Sequence, residues 1–219
     1  MDNQTLTHYN QHAADMSAQY ESADVTRLHQ RLLEALPSGG RVLEVECGSG
    51  RDLAFLQAQG FDVTGLEPSE GMRAGALAGH PGLTGRLHPG TIPFPTGMGG
   101  LKPPYDAVLA IAVIMHLTDP ELTAWIRQLK SVIRPGGVLF LSASYDREGM
   151  DGQRDAGGRL FVERTPAQVE SMMREGGLEK VRMFRSRDTL KRTLRWFTPI
   201  YRMSPEPDVS RRSLAKAEP

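Results

Sequence analysis

Apolar residues fall along this chain in two alternating rhythms. Over residues 1–36, Val25, Leu28, Leu32, Leu33 and Leu36 recur at helical spacing, and Pro37-Ser38-Gly39-Gly40 stops the run. Arg41-Val42-Leu43-Glu44-Val45 is short and β-branched and reads as a buried strand. The turn Cys47-Gly48-Ser49-Gly50 leads into a helix bearing Leu53, Ala54, Leu56 and Ala58, with Gly60 as its stop. The pattern repeats with a strand from Phe61 to Leu66 and a helix opened by Pro68-Ser69. Residues 79–104, rich in Gly and Pro, leave room for one short strand. Tyr105 to Met115 is the next clear strand. Asp119 then reads as an N-cap, with Pro120 at the first helical position and Leu122, Ile126, Leu129 and Ile133 along one face. Pro135-Gly136-Gly137 ends that helix before the strand Val138 to Ser142. A polar stretch (146–158), a helix from Pro166 to Arg174 and two strands near 178–186 and 192–202 follow. The Pro-rich, charged tail from Ser204 is predicted to be disordered.

Strands that alternate with helices predict an α/β fold: a mostly parallel sheet with helices on both faces. Its 219 residues suit one domain, and 39% hydrophobic residues suit an ordinary globular core. Lys plus Arg and Asp plus Glu both number 26. That balance argues against a nucleic-acid or membrane-surface protein. The one cysteine, Cys47, excludes an intrachain disulfide and fits a cytoplasmic address. Met1-Asp2-Asn3-Gln4 carries no apolar signal core, and the longest apolar run, Ala107 to Met115, is far short of the roughly 20 residues that span a bilayer. His8 and His12 share a helix face without a third ligand, so no metal site is expected.

Open parallel sheets bind ligands beyond the carboxyl ends of their strands. Two features there carry chemistry. The Gly-containing turn after the first strand allows close approach to the backbone. Glu67, at the end of the second strand, can accept both hydroxyls of a ribose. Together they indicate an adenosine-containing cofactor. A dinucleotide would want a third Gly where the chain has Leu53, and the bulky Arg51-Asp52 opens the helix; both argue against a pyrophosphate.

Val42-Leu43-Glu44 through Cys47-Gly48-Ser49-Gly50-Arg51-Asp52, then Val63-Thr64-Gly65-Leu66-Glu67-Pro68-Ser69, resemble the first two motifs of class I S-adenosylmethionine-dependent methyltransferases. Tyr105-Asp106-Ala107-Val108 through Met115-His116-Leu117, and Leu129 through Pro135-Gly136-Gly137-Val138-Leu139, resemble two later motifs, in order and at similar spacing. The resemblance implies a three-layer Rossmann-like sandwich with a seven-stranded, mostly parallel sheet whose last strand is antiparallel. It divides the chain into an N-terminal helical lid (1–36), a methyltransferase domain (37–203) and the tail (204–219). It also implies S-adenosyl-L-methionine as cofactor, S-adenosyl-L-homocysteine as product and a small-molecule substrate, in a monomer or homodimer.

The same resemblance assigns site residues. Glu44 would meet the methionine amino group, the loop Cys47, Gly48, Ser49 and Gly50 would pack on methionine and ribose, and Glu67 with Pro68 would hold the ribose. Met72 would touch adenine, Ala110 and Ile111 would line the methionine end, and Tyr9 and Tyr20 would close over substrate and cofactor.

Two departures stand out. Glu46 occupies the position of the loop's first glycine; strand alternation puts it on the face of Glu44, where two carboxylates would crowd and raise a pKa, and a carboxylate there could favour a cationic ligand. The segment after the third strand lacks the acid that usually meets the adenine amine, which leaves backbone near Thr91 and Ile92 for that contact. Lys102-Pro103-Pro104-Tyr105 only superficially resembles the motif of amine-methylating nucleic-acid enzymes, because Lys stands where an acid or amide belongs and the segment precedes the strand.

Methyl transfer needs a base only where the acceptor must lose a proton. His116, just past a strand, is the candidate. Arg182, Arg185, Arg187, Lys191, Arg192, Arg195 and Arg202 make the C-terminal third basic; Arg159 and Arg192 are the candidates for an anionic acceptor. Three alternatives stay open: a non-catalytic cofactor- or partner-binding protein with this fold, a nicotinamide-dependent oxidoreductase, and a nucleic-acid methyltransferase.

Overall fold

The computed structural model describes residues 1–95, 100–190 and 192–204. The predicted tail beyond Ser204, and Lys191 of the basic cluster, lie outside the described residues. Three helices come first, α1 (Asn3–Gln11), α2 (Ala13–Ser22) and α3 (Thr26–Ala35). Strand β1 (Arg41–Val45), helix α4 (Arg51–Ala58), β2 (Asp62–Leu66), α5 (Glu70–Gly79) and the short β3 (Leu87–His88) form the first half of the sheet. The second half is β4 (Tyr105–Ile111), α6 (Asp119–Val132), β5 (Ile133–Tyr145), α7 (Pro166–Glu175), β6 (Leu178–Arg187) and β7 (Arg195–Met203).

The seven strands lie in the order β3-β2-β1-β4-β5-β7-β6, and β7 runs antiparallel to both of its neighbours. The expected architecture is therefore present. Alternating side chains feed two separate cores, as a sheet covered on both faces requires. Leu43, Val108, Leu139 and Leu141 point to the layer of α6 and α7 around Trp125, Val169 and Met173. Val42, Val63, Leu109 and Phe140 point to the layer of α3 and α4 around Leu32, Leu53 and Leu56. Gly65 lets that second layer close: a Cβ there would lie 2.5 Å from both Leu53 Cδ1 and Leu87 Cδ2.

Several boundaries differ from expectation. Residues 1–36 break into three helices, with His12 as the C-cap of α1 and Ala23 as that of α2. Thr118, not Asp119, caps α6: its hydroxyl takes the Glu121 N–H while the Glu121 carboxylate takes the Thr118 N–H, so each satisfies an end group of the other. The strand expected to reach Met115 stops at Ile111, and Ile114–His116 forms a 3-10 turn. Strand β5 starts at Ile133 rather than Val138, because Ile133 pairs with Tyr105; a register shift follows between Tyr105 and Ala107. Strand β7 starts at Arg195, since the residues before it turn around Asp188.

Candidate functional site

The carboxyl ends of β1, β2, β4 and β5 open on a cavity of about 660 Å3, within the range of roughly 300–1,000 Å3 usual for small-molecule sites. Its floor is the β1–α4 loop. Glu67 joins that loop to the start of α5, because its Oε2 accepts from Gly48 N and its Oε1 from Ser69 N, both at 2.8 Å. Gly48 has φ +57°, and its Cα approaches the Tyr20 ring so closely that a Cβ would sit 3.4 Å from it. Burial, and then the charge of Glu46, push the Glu67 carboxyl up to about 7.

Glu44 is buried, with Oε2 unpartnered. Burial and the nearby Asp52 charge raise its pKa well above the carboxylate range. Burial works in the same direction on Asp52, but His29 Nε2 at 2.8 Å and the Arg51 guanidinium at 3.0 Å outweigh it and hold that acid ionised. Arg51 also reaches the Tyr20 carbonyl at 2.5 Å, which ties α2 to the loop.

Glu46 departs from the expected geometry. Its φ of 53° ends the strand's alternation, so it does not crowd Glu44 from the same face. Its Oε1 accepts from Thr91 Oγ1 at 2.9 Å, and its Oε2 is buried without a partner. Burial raises its pKa as it does that of Glu44. The crowding is between Glu46 and Glu67 instead.

The roof comes from α1 and α2, which pack on α5. The Ser69 hydroxyl donates to Asn10 Oδ1 at 2.8 Å, and Ser17 Oγ lies 3.7 Å from Met72 Sδ. Tyr20 and Tyr9 hydroxyls are 3.4 Å apart, and Tyr9 lies 3.1 Å from His116 Nε2. His116 Nδ1 is 2.6 Å from the Leu160 carbonyl, which can only accept. Nδ1 therefore carries the proton, Nε2 holds a lone pair, and the Tyr9 hydroxyl donates to it. Burial lowers the His116 pKa to about 4, so the ring is neutral at pH 7.

The walls take most of the residues expected from the sequence: Tyr9, Tyr20, Glu44, Glu46, Cys47, Gly48, Ser49, Glu67, Met72, Ile111, His116 and Arg192. Others stand behind them. Gly50 backs onto Leu83 and Ala76 under α4. The Pro68 carbonyl accepts from Arg73. Thr91 braces Glu46, and Ile92 and Ala110 belong to the α6 core. Arg159 lies outside the lining and donates to Asp155 Oδ2 at 2.9 and 2.6 Å. Arg192 is held the same way by Asp188, at 3.0 and 2.7 Å. Trp196 Nε1 also donates to Asp188. These bonds bring the Asp188 carboxyl down to about 2, against the opposing effect of burial.

Sequence reasoning missed Arg27 and Arg31, one turn apart on α3, which face the same cavity. Their i, i+4 spacing was the available signal. With Arg185 and Arg187 from β6 they make one end of the cavity basic. No carboxylate lies within ion-pair distance of these four among the described residues. The other end holds Glu44, Glu46 and Glu67. No group of three or more potential metal ligands occurs among the described residues. No helix among them is long and apolar enough to cross a membrane.

Two orphan carboxylate oxygens and a cradle of loop backbone fit a cationic, hydroxyl-bearing ligand such as S-adenosylmethionine. A family profile described as "Methyltransferase domain" matches residues 15–196. The chain is 34% identical over 132 residues to an uncharacterized methyltransferase of Oceanobacillus iheyensis, covering 60% of this chain and 59% of that one. It is 31% identical over 125 residues to a ubiquinone biosynthesis O-methyltransferase of Psychrobacter arcticus, covering 56% and 46%. Across the first five curated relatives the chain spans between 32% and 59% of their length. Among solved structures, the Burkholderia thailandensis 1,6-didemethyltoxoflavin-N1-methyltransferase, with bound 1,6-didemethyltoxoflavin and S-adenosylhomocysteine, superposes with a TM-score of 0.69 at 19% identity, covering 92% of this chain and 88% of that one.

Proposed function

Since the chain belongs to the methyltransferase domain family, in its class I, S-adenosylmethionine-dependent form, we propose that it methylates a small, anionic molecule. The observation that carries this reading is the charge division of the cavity. Glu44, Glu46 and Glu67 line it from the ends of β1 and β2, Arg27 and Arg31 from α3, and Arg185 and Arg187 from β6; Asp24 lines it as well, and Asp52 and Asp188 do so paired to Arg51 and Arg192. Carboxylates suit a cationic donor, and guanidinium groups without an ion-pair partner among the described residues suit a carboxylate or phosphate on the acceptor, with Arg31 also stacked 4.2 Å over the Phe184 ring.

S-adenosylmethionine, when bound, supplies a methyl group on an electrophilic sulfonium sulfur. Glu67 and the Gly48 backbone would hold its ribose and Glu44 its ammonium group. Tyr9 and Tyr20, on helices that cross the roof, would close over both ligands and exclude water. Holding acceptor and donor in line is the main service such a protein performs. His116 adds a second. Its Nε2 lone pair is aimed at the Tyr9 hydroxyl, and an acceptor O–H or N–H that displaces Tyr9 would deliver its proton there.

The first test is calorimetric titration of S-adenosylhomocysteine, followed by a methylation screen with paired acceptors that differ only in a carboxylate or phosphate. Double charge reversal at Arg27 and Arg31 should abolish the preference for the anionic member; an undiminished preference overturns the anionic reading. His116→Ala should lower turnover about 10²–10⁴-fold and leave cofactor affinity unchanged. Equal turnover would remove His116 as the base.

A further inference from the structure

Glu46 is the oddest residue in the cavity. A non-glycine residue at φ 53° occupies a region that side chains disfavour. The same residue also holds one carboxylate oxygen, Oε2, out of water and unpartnered. Both features work against folding, so the residue is a poor choice for a purely structural position. Its surroundings offset the burial only in part: the Met1 ammonium, the Thr91 hydroxyl and the Ile92 backbone favour its charged form, yet burial still raises its pKa. Glu67 repels it, and the hydroxyl of Thr91 satisfies only Oε1. The nearest cation with a bond into this network, the Met1 ammonium, reaches that same hydroxyl at 3.1 Å and not the free Oε2. Glu46 lines the cavity with Glu67 and Gly48, while its free Oε2 is closed to solvent.

Resting on the S-adenosylmethionine reading just given, we infer that Glu46 is a specificity-determining residue that favours the cationic donor over its neutral product. Substrate and product share the ribose, the adenine and the amino-acid end. They differ by one methyl group and one positive charge, on sulfur. Groups that hold the shared parts cannot tell the two apart. A buried carboxylate at fixed position can, because the low-polarity wall leaves its attraction to a nearby unit charge weakly screened. Glu46 would thereby hold donor until transfer and release product after it, since transfer removes the charge that Glu46 attracts.

The test is calorimetric titration of S-adenosylmethionine and S-adenosylhomocysteine into wild type, Glu46→Gln and Glu46→Gly. Glutamine keeps the shape and removes the charge. Glycine removes the side chain and relieves the left-handed backbone, which protects the experiment from a folding failure. The inference expects the affinity ratio of donor to product to fall about tenfold or more in both variants. A ratio unchanged in both variants overturns it. Equal tightening of both ligands in Glu46→Gly also overturns it and makes the side chain a plug in the site. Equal weakening of both assigns Glu46 to the shared amino-acid end instead, and so overturns it as well. Absence of binding by either ligand to wild type and to both variants would overturn the cofactor reading beneath it, an outcome distinct from the other three.

Discussion

At the scale of single residues, those that act on their own sequence neighbourhood were the legible ones. Glu67, Gly48 and Glu44 sit at fixed offsets from strand ends, and the bonds from Gly48 N and Ser69 N to Glu67 follow from that placement. Tyr9 and His116 are 107 positions apart, and nothing local announces their contact. Arg159 and Arg192 each have a partner close in sequence. Each has an aspartate four positions before it, Asp155 and Asp188, and each spends its guanidinium there. That spacing was readable. The elevated carboxyl of Glu67 gives a pH test with a definite sign. Between its ordinary 4.5 and about 7, the folded chain retains a proton that the unfolded chain releases. Glu67's contribution to stability therefore falls as pH rises through this window. Glu67→Gln lacks the proton and should gain on wild type between pH 5 and 7.5, by up to about 3 kcal/mol. Urea midpoints at the two pH values measure this, and a constant difference would mean that Glu67 titrates like a solvated acid.

At the scale of elements, hydrophobic rhythm placed the longer helices and strands from β1 onward, and the errors lie at their ends and in the N-terminal run, which breaks into three helices. Periodicity reports which face is buried, whereas an end is decided by which group satisfies the last backbone partners. Asp119 looked like the cap of α6 because Pro120 follows it. Thr118 has the geometry, and Asp119 instead takes the buried Arg164 guanidinium at 2.7 Å. Thr118→Ala should cost about 1 kcal/mol, read from a shift in denaturant midpoint at unchanged slope. Strand β5 began early because its partner β4 offered Tyr105 to Ile133, a pairing invisible in either segment alone. Gly65 is the tightest constraint on the β2 layer. Gly65→Ala would force Leu53 and Leu87 apart and should destabilise the chain by about 1–3 kcal/mol. A neutral effect would show that α4 can move off the sheet.

At the scale of the whole molecule, alternation of strand and helix announced a covered parallel sheet. The position of the antiparallel last strand came with family likeness and not from periodicity. Neither source showed that the β6–β7 end of the sheet and α3 would bring arginines from both halves of the chain to one cavity. A formal charge of zero over 219 residues hides that separation. If anionic acceptors use the basic end, raising ionic strength from 0.05 to 0.5 M should raise KM for a charged acceptor more than for a neutral one, while KM for the donor changes less. Equal changes for both acceptors would show that the arginines are bystanders. The floor of the cavity also carries its own clock. Cys47 is the one thiol in the chain, it packs into the layer of α3 and α4 beside Gly65, and burial raises its pKa. A disulfide reagent can reach it only when the β1–α4 loop and α4 part from the sheet, so the labelling half-time of unmodified protein counts those openings directly. A ligand held on that loop should lengthen the half-time by a factor of one plus the ratio of free ligand concentration to Kd, which turns one sulfur atom into a stopwatch for the loosening of the floor.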